Sequence, residues 1–488
     1  MALHEKGLVP FWDDHLIDTR FSTATLSVNK PEKAGVVIEF DQPWEGNATD
    51  FFTIIRDDGF YRLYYETWSF FDPEYTEGIN VCYAESRDGI HWEKPDLGMC
   101  EFRGSKHNNI IMTDICDNIT VMKDPNPACP PEQKYKALMM VKNMAGYANI
   151  PEGYTEESWP DLVSLVSSDG IHFEKFSVVS CGYDYDTQNT LHWNRHTGKY
   201  YVYFREFHPS PDDPASPLNE PSVRGIRVME SEDFIHWTKP VPLDFGGAPD
   251  YPLYVNAVMA YPYDDRYYIG FPSRYVERRG WTANFERLCG REKRLERMKM
   301  QTRLGTAVTD CLFMSSRDNY NWFRFDEAII TPGPETFANW IYGDCFVAVG
   351  GLIETESRFP YEPNELSIFV DNHHWMDVPV ELVRYVYRMD GFASVKAPYA
   401  PKTLRTKAFT FEGETLKLNF RTSARGHIYL RILDERGTPI EGYSTCEIFG
   451  DSIDRTVDFD KPLGDLAGRP VIFDFTLSDG EIYSMRFE

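Results

Sequence analysis

The chain has 488 residues, of which 76 are acidic and 50 are basic, so its formal net charge at pH 7 is -26. A surface this negative disfavours binding to nucleic acid and to anionic membranes. Aromatic residues make up 15% of the chain, which favours β structure and suits flat ligands such as sugars.

The cysteines and the N-terminus predict the compartment. The nine cysteines are scattered and contain no C-x-x-C pair, so we expect reduced thiols and no zinc or iron–sulfur site. The N-terminal segment lacks an apolar signal core, and no run approaches the roughly 18 apolar residues of a membrane span. We therefore expect a cytoplasmic protein, or a secreted one whose signal peptide is absent from this sequence.

Two strand-like runs separated by a tight turn recur five times along the chain. They are Phe51 to Ile55 with Tyr61 to Tyr65, Ile119 to Met122 with Tyr135 to Val141, Thr190 to Trp193 with Tyr200 to Phe204, Val255 to Tyr261 with Tyr267 to Phe271, and Cys345 to Ile353 with Leu366 to Val370. Each pair predicts the inner half of a four-stranded antiparallel meander.

A short motif then marks the outer half of each meander. Ser86-Arg87-Asp88-Gly89-Ile90-His91-Trp92 returns as Ser168 to Phe173, Ser231 to Trp237 and Ser316 to Trp322, with a shortened copy at Arg388 to Phe392. Each copy follows a strand-like run and predicts a hairpin with an Asp-Gly-type turn. We expect Asp88, Asp169, Asp233 and Asp318 to serve these turns, and His91, His172 and His236 to pack beside them.

Five repeated meanders predict an all-β fold, because radial packing of the sheets around an axis buries both of their faces. We expect a five-bladed β-propeller with an N-terminal arm over residues 1–397. Its segment Asn284 to Arg303 predicts a solvated helical insertion, with a lid or an oligomer contact as alternatives. After the linker Pro398-Tyr399-Ala400-Pro401, residues 402–488 predict a small antiparallel β-sandwich with a turn at Ser478-Asp479-Gly480.

The repeat also predicts where a site lies, because the innermost strands of a propeller all begin at one end of the central channel. An aspartate lies at or shortly before each of these strands: Asp50, Asp117, Asp186, Asp250 and Asp344. The second strand of each blade ends at the same mouth. Those ends, with nearby loops, carry further candidates for binding a substrate: Glu45, Glu66, Arg205, Glu206, Tyr254, Arg274 and Trp340.

Carboxylates, arginines and aromatic rings in one pocket favour glycoside chemistry. One carboxylic acid protonates the leaving oxygen, and a second carboxylate attacks the anomeric carbon or activates water. Crowded carboxylates separate one another's pKa values, so that one stays protonated near neutral pH. For each mouth aspartate the alternative is a role in a turn or a strand start.

Other kinds of site have less support. Nucleotide-binding, zinc-protease and serine-hydrolase motifs are absent, so we expect no cofactor. The carboxylates leave a structural cation in the central channel as an alternative. The adjacent His373 and His374 are poor metal ligands, because neighbouring side chains of an extended chain seldom reach one ion.

Several stretches together resemble bacterial propeller proteins described as glycosyl hydrolase-like. The stretches are Cys82 to Gly98, Pro43-Trp44-Glu45, Gly104 to Asn109, Asp186-Thr187-Gln188-Asn189, Asp390-Gly391-Phe392 and Asp474 to Phe487. The resemblance implies a relative of the five-bladed glycoside hydrolase families 32, 43 and 68 with a C-terminal sandwich. The motifs typical of family 32 do not stand intact in this chain.

Those families use three acidic residues, one from each of the first three blades, which implies Asp50, Asp117 and Asp186 here. The third blade has Asp186 where a glutamate acid is expected, so Glu206 is a second candidate. We therefore expect a glycosidase acting on a small glycoside or on the end of an oligosaccharide. Asp50 would be the base or nucleophile, Asp117 would orient it, and Asp186 or Glu206 would be the general acid.

The alternatives to a glycosidase are a non-catalytic carbohydrate-binding propeller and a protein scaffold. A homo-oligomer is compatible with each of these functions.

Overall fold

The computed structural model describes residues 3–488 except residues 71, 73, 76, 116, 153, 155–160, 210–222 and 279. The chain divides into two compact units. One consists of Glu32–Thr355 and Ser367–Val386, and the other of Met1–Pro31, Glu356–Leu366 and Tyr387–Glu488. Among the described residues, no helix is both long and apolar enough to span a membrane.

The unit that begins at Glu32 contains the predicted five-bladed β-propeller. Blade 1 consists of Asp50–Asp57, Phe60–Thr67, Ile79–Ser86 and Trp92–Glu93, with Ile110–Ile115 paired to its third strand. Blade 2 consists of Asp117–Lys123, Tyr135–Val141, Asp161–Ser167 and Glu174–Ser180. Blade 3 consists of Thr190–Asn194, Lys199–His208, Val223–Ser231 and Val241–Pro242. Blade 4 consists of Met259–Ala260, Tyr268–Gly270, Met314–Ser316 and Trp322–Arg324.

Blade 5 corrects the prediction that each meander is continuous in sequence. Its strands are Ile353–Thr355, Glu365–Asn372, Val380–Tyr387 and, outermost, Glu32–Phe40. Val380 lies opposite Phe40 and Val386 lies opposite Glu32. A strand from before blade 1 therefore completes blade 5 and closes the ring. The copy at Arg388 to Phe392 is not an outer hairpin, because the chain has left the propeller by that point.

The recurring motif is a turn capped by its own side chains. Asp88, Asp169, Asp233 and Asp318 each accept two backbone N–H bonds through Oδ1, at 2.8–2.9 Å, which confirms their role in the turns. The prediction that the histidines pack was wrong. The side chains of His91, His172 and His236 are 71–85% exposed, and Nδ1 of each lies 2.7–2.8 Å from Oδ2 of its aspartate.

The residue that follows each of these aspartates has a left-handed backbone φ value. It packs against the preceding blade. Gly170 of blade 2 accepts a hydrogen bond from the Tyr64 hydroxyl of blade 1 at 2.9 Å. Phe234 of blade 3 stacks on Phe176 of blade 2 with ring centroids 6.1 Å apart. Asn319 of blade 4 accepts a hydrogen bond from Tyr203 of blade 3 at 2.5 Å. The motif recurs because it joins neighbouring blades.

The insertion in blade 4 is helical, but it is not a solvated helix as predicted. Its helices are Arg291–Met298 and Arg303–Thr306, and they lead into a two-stranded sheet of Ala307–Cys311 with Ser273–Glu277. Arg294 and Arg297 are 2% and 1% exposed. Arg294 donates to the carbonyl of Asn339, and Arg297 donates to the carbonyls of His374 and Trp375. The buried guanidiniums hold this insertion against the mouth loops of blade 5.

The other unit is built on a ten-stranded sheet. Its strands are Leu3–Glu5, Gly7–Pro10, Thr25–Val28, Ala393–Ala397, Lys402–Arg405, Phe409–Phe411, Leu416–Asp434, Pro439–Ser444, Asp451–Thr456 and Val471–Phe487. The N-terminal arm, which the sequence analysis grouped with the propeller, thus supplies three strands to this sheet. The predicted turn at Ser478-Asp479-Gly480 lies inside the long strand Val471–Phe487, since Leu416–Asp434 pairs with it on both sides of that point. Short 3-10 helices occur at Pro131–Gln133 in blade 2 and at Leu463–Leu466 here.

Replacing Gly170 by alanine should cost more stability than replacing Gly198, although both glycines have left-handed φ values of 79° and 69°. A β-carbon on Gly170 would lie 2.9 Å from the Tyr64 hydroxyl, whereas one on Gly198 would have no neighbour within 4 Å. We expect a loss of about 1 kcal/mol for Gly198→Ala from backbone strain. Gly170→Ala should lose about 1–3 kcal/mol more from overpacking. Chemical denaturation measures both losses, and equal losses would contradict the docking of this turn on blade 1.

Candidate functional site

The mouth of the propeller is shaped by a backbone conformation that recurs at its strand starts. Phe51, Asn118, Ala257 and Cys345 all have left-handed φ values, between 42° and 69°. Each directly follows a buried or half-buried polar residue: Asp50, Asp117, Asn256 and Asp344. The strand register shifts immediately after Asp50 and after Asp117. Left-handed bulky residues are strained and cluster at functional sites, so this conformation marks the mouth as a candidate site.

Blades 1 and 2 join through carboxyl groups. Asp50 lies opposite Glu66 in the strand register of blade 1, and both residues are buried. Glu66 Oε1 accepts the backbone N–H of Ile119 in blade 2, and the Glu66 side chain hydrogen-bonds to Asp117. Asp50 Oδ1 and Glu66 Oε2 have no hydrogen-bond partner within the described part of the chain. Two carboxyl groups can share a hydrogen bond only when one of them carries a proton.

Burial is the main cause of the pKa shifts in this group. It raises the pKa of Asp50 well above its ordinary value, and the negative charges of Asp117 and Asp186 raise it further. Burial and the neighbouring Asp117 likewise raise the pKa of Glu66. The pKa of Asp117 is also raised, by burial and by the charge of Asp186, against the opposing influence of Glu66 and Arg205. These interactions bring together the three aspartates that the sequence singled out from blades 1, 2 and 3.

Blade 3 adds an ion pair to this group of carboxyls. The Asp186 side chain is 55% exposed and lies 3.2 Å from Nη2 of Arg205, which also bonds Asp184. Arg205 is only 3% exposed. Its guanidinium lies over the ring of Tyr254, 5.4 Å from the centroid. The mouth therefore combines carboxyl groups of raised pKa with a solvent-facing carboxylate that is fixed by an arginine.

Blade 5 contributes a second buried group. Asp344 is 1% exposed and accepts the backbone N–H of His374 through Oδ1 at 2.9 Å. Asp371 accepts the N–H of Phe346 at 2.7 Å. Burial raises the pKa of Asp344 to about 7 and that of Asp371 well above its ordinary value. The ring of His374 reaches blade 1, where Nδ1 lies 3.8 Å from Asp50 Oδ2, and burial lowers the pKa of this histidine.

Aromatic rings line the side of the mouth between blades 3 and 5. Tyr254 receives a hydrogen bond at its carbonyl from Thr187 and donates its N–H to Ser273, so it is fixed between blades 3 and 4. Its ring lies 5.7 Å from that of Tyr342, which in turn contacts Trp375 at 5.2 Å. Rings of this kind provide the flat apolar surfaces on which sugars stack.

Four residues that the sequence placed in the site bond elsewhere. Glu45 accepts bonds from Lys94 and Tyr65 inside blade 1, at 2.8 Å each. Arg274 forms a two-pronged ion pair with Asp310 at 2.6 and 3.0 Å, and Trp340 donates to the carbonyl of Gly333 at 2.9 Å. Glu206 is ion-paired with Arg227. Since successive side chains of a strand point to opposite faces, Glu206 faces away from the side on which Arg205 meets Asp186.

Blade 4 corrects one further candidate. The residue that matches Asp50, Asp117 and Asp344 in position and backbone conformation is Asn256 rather than Asp250. Asn256 accepts the Thr190 hydroxyl at 2.7 Å, whereas Asp250 bonds His208 at 2.9 Å. The signal was present in the sequence, because Asn256 is the polar residue that stands beside the start of the predicted strand. Asp371 stands at the end of the second strand of blade 5, the position from which the sequence also predicts Glu66 and Arg205, whereas His374 carries no comparable signal.

The described residues contain no group of three or more His, Cys, Asp or Glu side chains placed to hold a metal ion. Across the channel, Gln188 of blade 3 donates to Phe52 O and Thr53 Oγ1 of blade 1, at 3.1 and 3.2 Å. These bonds place the inner strands of blades 1 and 3 within reach of one another.

The chain matches no protein-family model and no curated protein. Among solved structures it is similar to an N-acetylgalactosamine deacetylase from F. plautii in complex with blood group B trisaccharide, at 12% identity over 78% of this chain and 95% of that chain, with a TM-score of 0.42. A glycosyl hydrolase from Bacteroides ovatus shares 14% identity over 78% and 96% of the two chains, with a TM-score of 0.38.

A third matched structure is described as "The GH130 family of mannoside phosphorylases contains glycoside hydrolases that target beta-1,2 mannosidic linkages in Candida mannan". It shares 14% identity over 78% of this chain and 96% of that chain, with a TM-score of 0.37. None of the three is described as a member of families 32, 43 or 68. Because all three TM-scores are low, we infer the function from the site alone.

Replacing Asp344 by asparagine should flatten the dependence of stability on pH. The folded-state pKa of about 7 exceeds the ordinary value of 3.8, so the wild-type protein loses stability as the pH rises from about 4 to about 7. The amide introduced by Asp344→Asn would keep the acceptor for His374 and carry no charge. From roughly 1.4 kcal/mol per pKa unit, we expect the loss between pH 4 and pH 8 to shrink by about 2–4 kcal/mol.

Denaturant unfolding at several pH values measures this difference. The matched control is Asp454→Asn, which changes an exposed aspartate. Parallel stability profiles for the wild-type protein and Asp344→Asn would show that Asp344 ionises normally in the folded state.

Proposed function

We propose that the protein is a carbohydrate-active enzyme that cleaves glycosidic bonds at the propeller mouth. The observation that carries the proposal is the pairing of buried carboxyl groups of raised pKa with a solvent-facing carboxylate held by an arginine. Glycosidic cleavage needs these two states together: a carboxylic acid that protonates the leaving oxygen and a carboxylate that attacks or activates water.

The geometry supports a different division of roles from the one that position in the repeat implied. Asp117 is half-buried, which makes it more accessible than Asp50 and Glu66, and burial together with the charge of Asp186 raises its pKa to about 7. We assign it as the general acid. Asp186 carries negative charge beside Arg205 and suits the base or nucleophile. Asp50 is 5% exposed and keeps its proton, so it serves better as a donor to a sugar hydroxyl than as the base.

The surroundings fit a sugar substrate. Tyr254, Tyr342 and Trp375 form a continuous aromatic wall beside these carboxyl groups. Sugars stack their C–H faces on such rings, while their hydroxyls bond to nearby acids and arginines. A carbohydrate is therefore the partner that the mouth suits best, with hydrolysis as the reaction and no cofactor required.

The test is a hydrolysis screen of the purified protein against aryl glycosides and oligosaccharides, with three variants beside the wild-type protein. Asp117→Asn and Asp186→Asn should each lower kcat/KM by about 10²–10⁴-fold, the usual contribution of a general acid or base. Glu206→Gln should stay within about tenfold of the wild type, because Glu206 faces the other side of its blade. Activity should fall as the pH rises through the raised pKa of the Asp117–Glu66 pair.

Circular dichroism of each variant confirms that it has folded. Loss of activity in Glu206→Gln alone would contradict the assignment and would identify Glu206 as the general acid. Binding of sugars by calorimetry without cleavage of any substrate would favour the non-catalytic carbohydrate-binding propeller instead.

A further inference from the structure

Three arginines and three tyrosines interleave at the side of the mouth formed by blades 3 and 4. We refer to Arg205, Arg224, Arg303, Tyr254, Tyr275 and Tyr342 as the arginine–tyrosine cluster. The rings of the three tyrosines lie 5.7–6.4 Å from one another. All three tyrosines are buried, with exposures between 2% and 8%.

Each arginine of the cluster lies against these rings. The Arg224 guanidinium is 4.1 Å from the ring centroid of Tyr275 and 5.9 Å from that of Tyr254. Arg303 lies 5.9 Å from the ring of Tyr342 and hydrogen-bonds to Tyr275. The rings hold the guanidinium planes in place while leaving their N–H groups free to donate in other directions.

Among the described residues, the carboxylates near this cluster are unevenly placed, since Arg205 has two carboxylate partners and Tyr275 donates a hydrogen bond to Glu277 at 3.4 Å. Arg205 pairs with Asp184 and Asp186. Within the part of the chain that the structure describes, no carboxylate lies within 4 Å of the Arg224 or Arg303 guanidinium, although the chain has 76 acidic and 50 basic residues. Nε of Arg224 is buried and has no hydrogen-bond partner among those residues, and the same holds for Nε of Arg205.

An N–H group that is withdrawn from water and left without an acceptor costs free energy. Arg224 and Arg303 are themselves only half-buried, and the neighbouring Asp186 is exposed, so the cluster opens to solvent. An anion that enters from solvent would supply the missing acceptors. The planar fork of a guanidinium fits the oxygens of a carboxylate or a sulfate in a two-pronged arrangement.

We infer that the arginine–tyrosine cluster binds an anionic group carried by the sugar substrate, either a carboxylate or a sulfate. The inference rests on the proposed function and specifies its substrate class, an acidic glycan. Arg205 connects the two parts of the site, because the same guanidinium contacts Asp186 and belongs to the cluster. The bond that is cleaved would thus lie beside Asp186, with the anion of the sugar toward the half-buried Arg224 and Arg303.

The test measures binding apart from catalysis. Isothermal titration calorimetry is run with glucuronate, galacturonate, glucose 6-sulfate, glucose, galactose and inorganic phosphate, on the wild-type protein and on Asp117→Asn. We expect each acidic sugar to bind at least tenfold more tightly than its neutral counterpart, in both proteins, and to bind more weakly as the salt concentration rises.

Arginine variants locate the anion. Arg224→Gln and Arg303→Gln should each weaken acidic-sugar binding by about 10–100-fold, the loss of a charge-assisted hydrogen bond, and leave neutral-sugar binding unchanged. Arg425→Gln is the matched control, since Arg425 lies over the ring of Tyr399 at 5.8 Å in the other unit. It should bind acidic sugars as the wild type does.

Three results would overturn the inference. One is equal affinity for acidic and neutral sugars that stays unchanged in the arginine variants. It would show that the cluster does not recognise the anionic group. Phosphate binding that matches acidic-sugar binding and is lost in the same variants would show a free anion site instead. If neutral glycosides are cleaved at rates that depend on Asp117 but not on Arg224, the proposed function survives and the acidic substrate class fails.

Discussion

The site depends on the cost of placing several carboxyl groups together where they have little access to water. Asp50, Glu66 and Asp117 face one another at the junction of blades 1 and 2, and burial acts on each of them in the same direction. The fold meets this cost by retaining protons on the group. A set of neutral acids beside the charged Asp186 is the state from which proton transfer to a leaving group can start.

The backbone and the blade contacts hold that group in place. Left-handed residues at the strand starts direct Asp50, Asp117 and Asp344, and Glu66 bonds across to the backbone of blade 2. Farther out, each capped turn docks against the preceding blade, so the distances between inner strands are set by packing over the whole sheet. Blade 5 then closes with a strand from before blade 1. Rigid sheets position such a site more accurately than loops would.

The sequence predicted the features that repeat and missed those that do not. The five pairs of strand-like runs predicted five blades, and the residues beside the inner strands led to Asp50, Asp117, Asp186 and Asp344. The structure separates Glu206 from Arg205 because adjacent residues on a strand face opposite ways, and the sequence does not show which face borders the channel. The strand that closes blade 5 pairs across more than 340 positions of the chain, from Glu32–Phe40 to Val380–Tyr387, so no local pattern predicts it. The histidines of the motif recur with the hairpins, which suggested that they pack, but their side chains are exposed at the turns.

The measurement that tests the account most directly is infrared difference spectroscopy of the carboxyl groups between pH 4 and pH 9. It requires no knowledge of the substrate. We expect the wild-type protein to keep protonated carboxyl bands at pH 6, and Asp50→Asn, Glu66→Gln and Asp117→Asn each to remove or shift one of them. A spectrum in which every carboxyl group is ionised at pH 6 would contradict the central claim that burial keeps protons on the mouth acids.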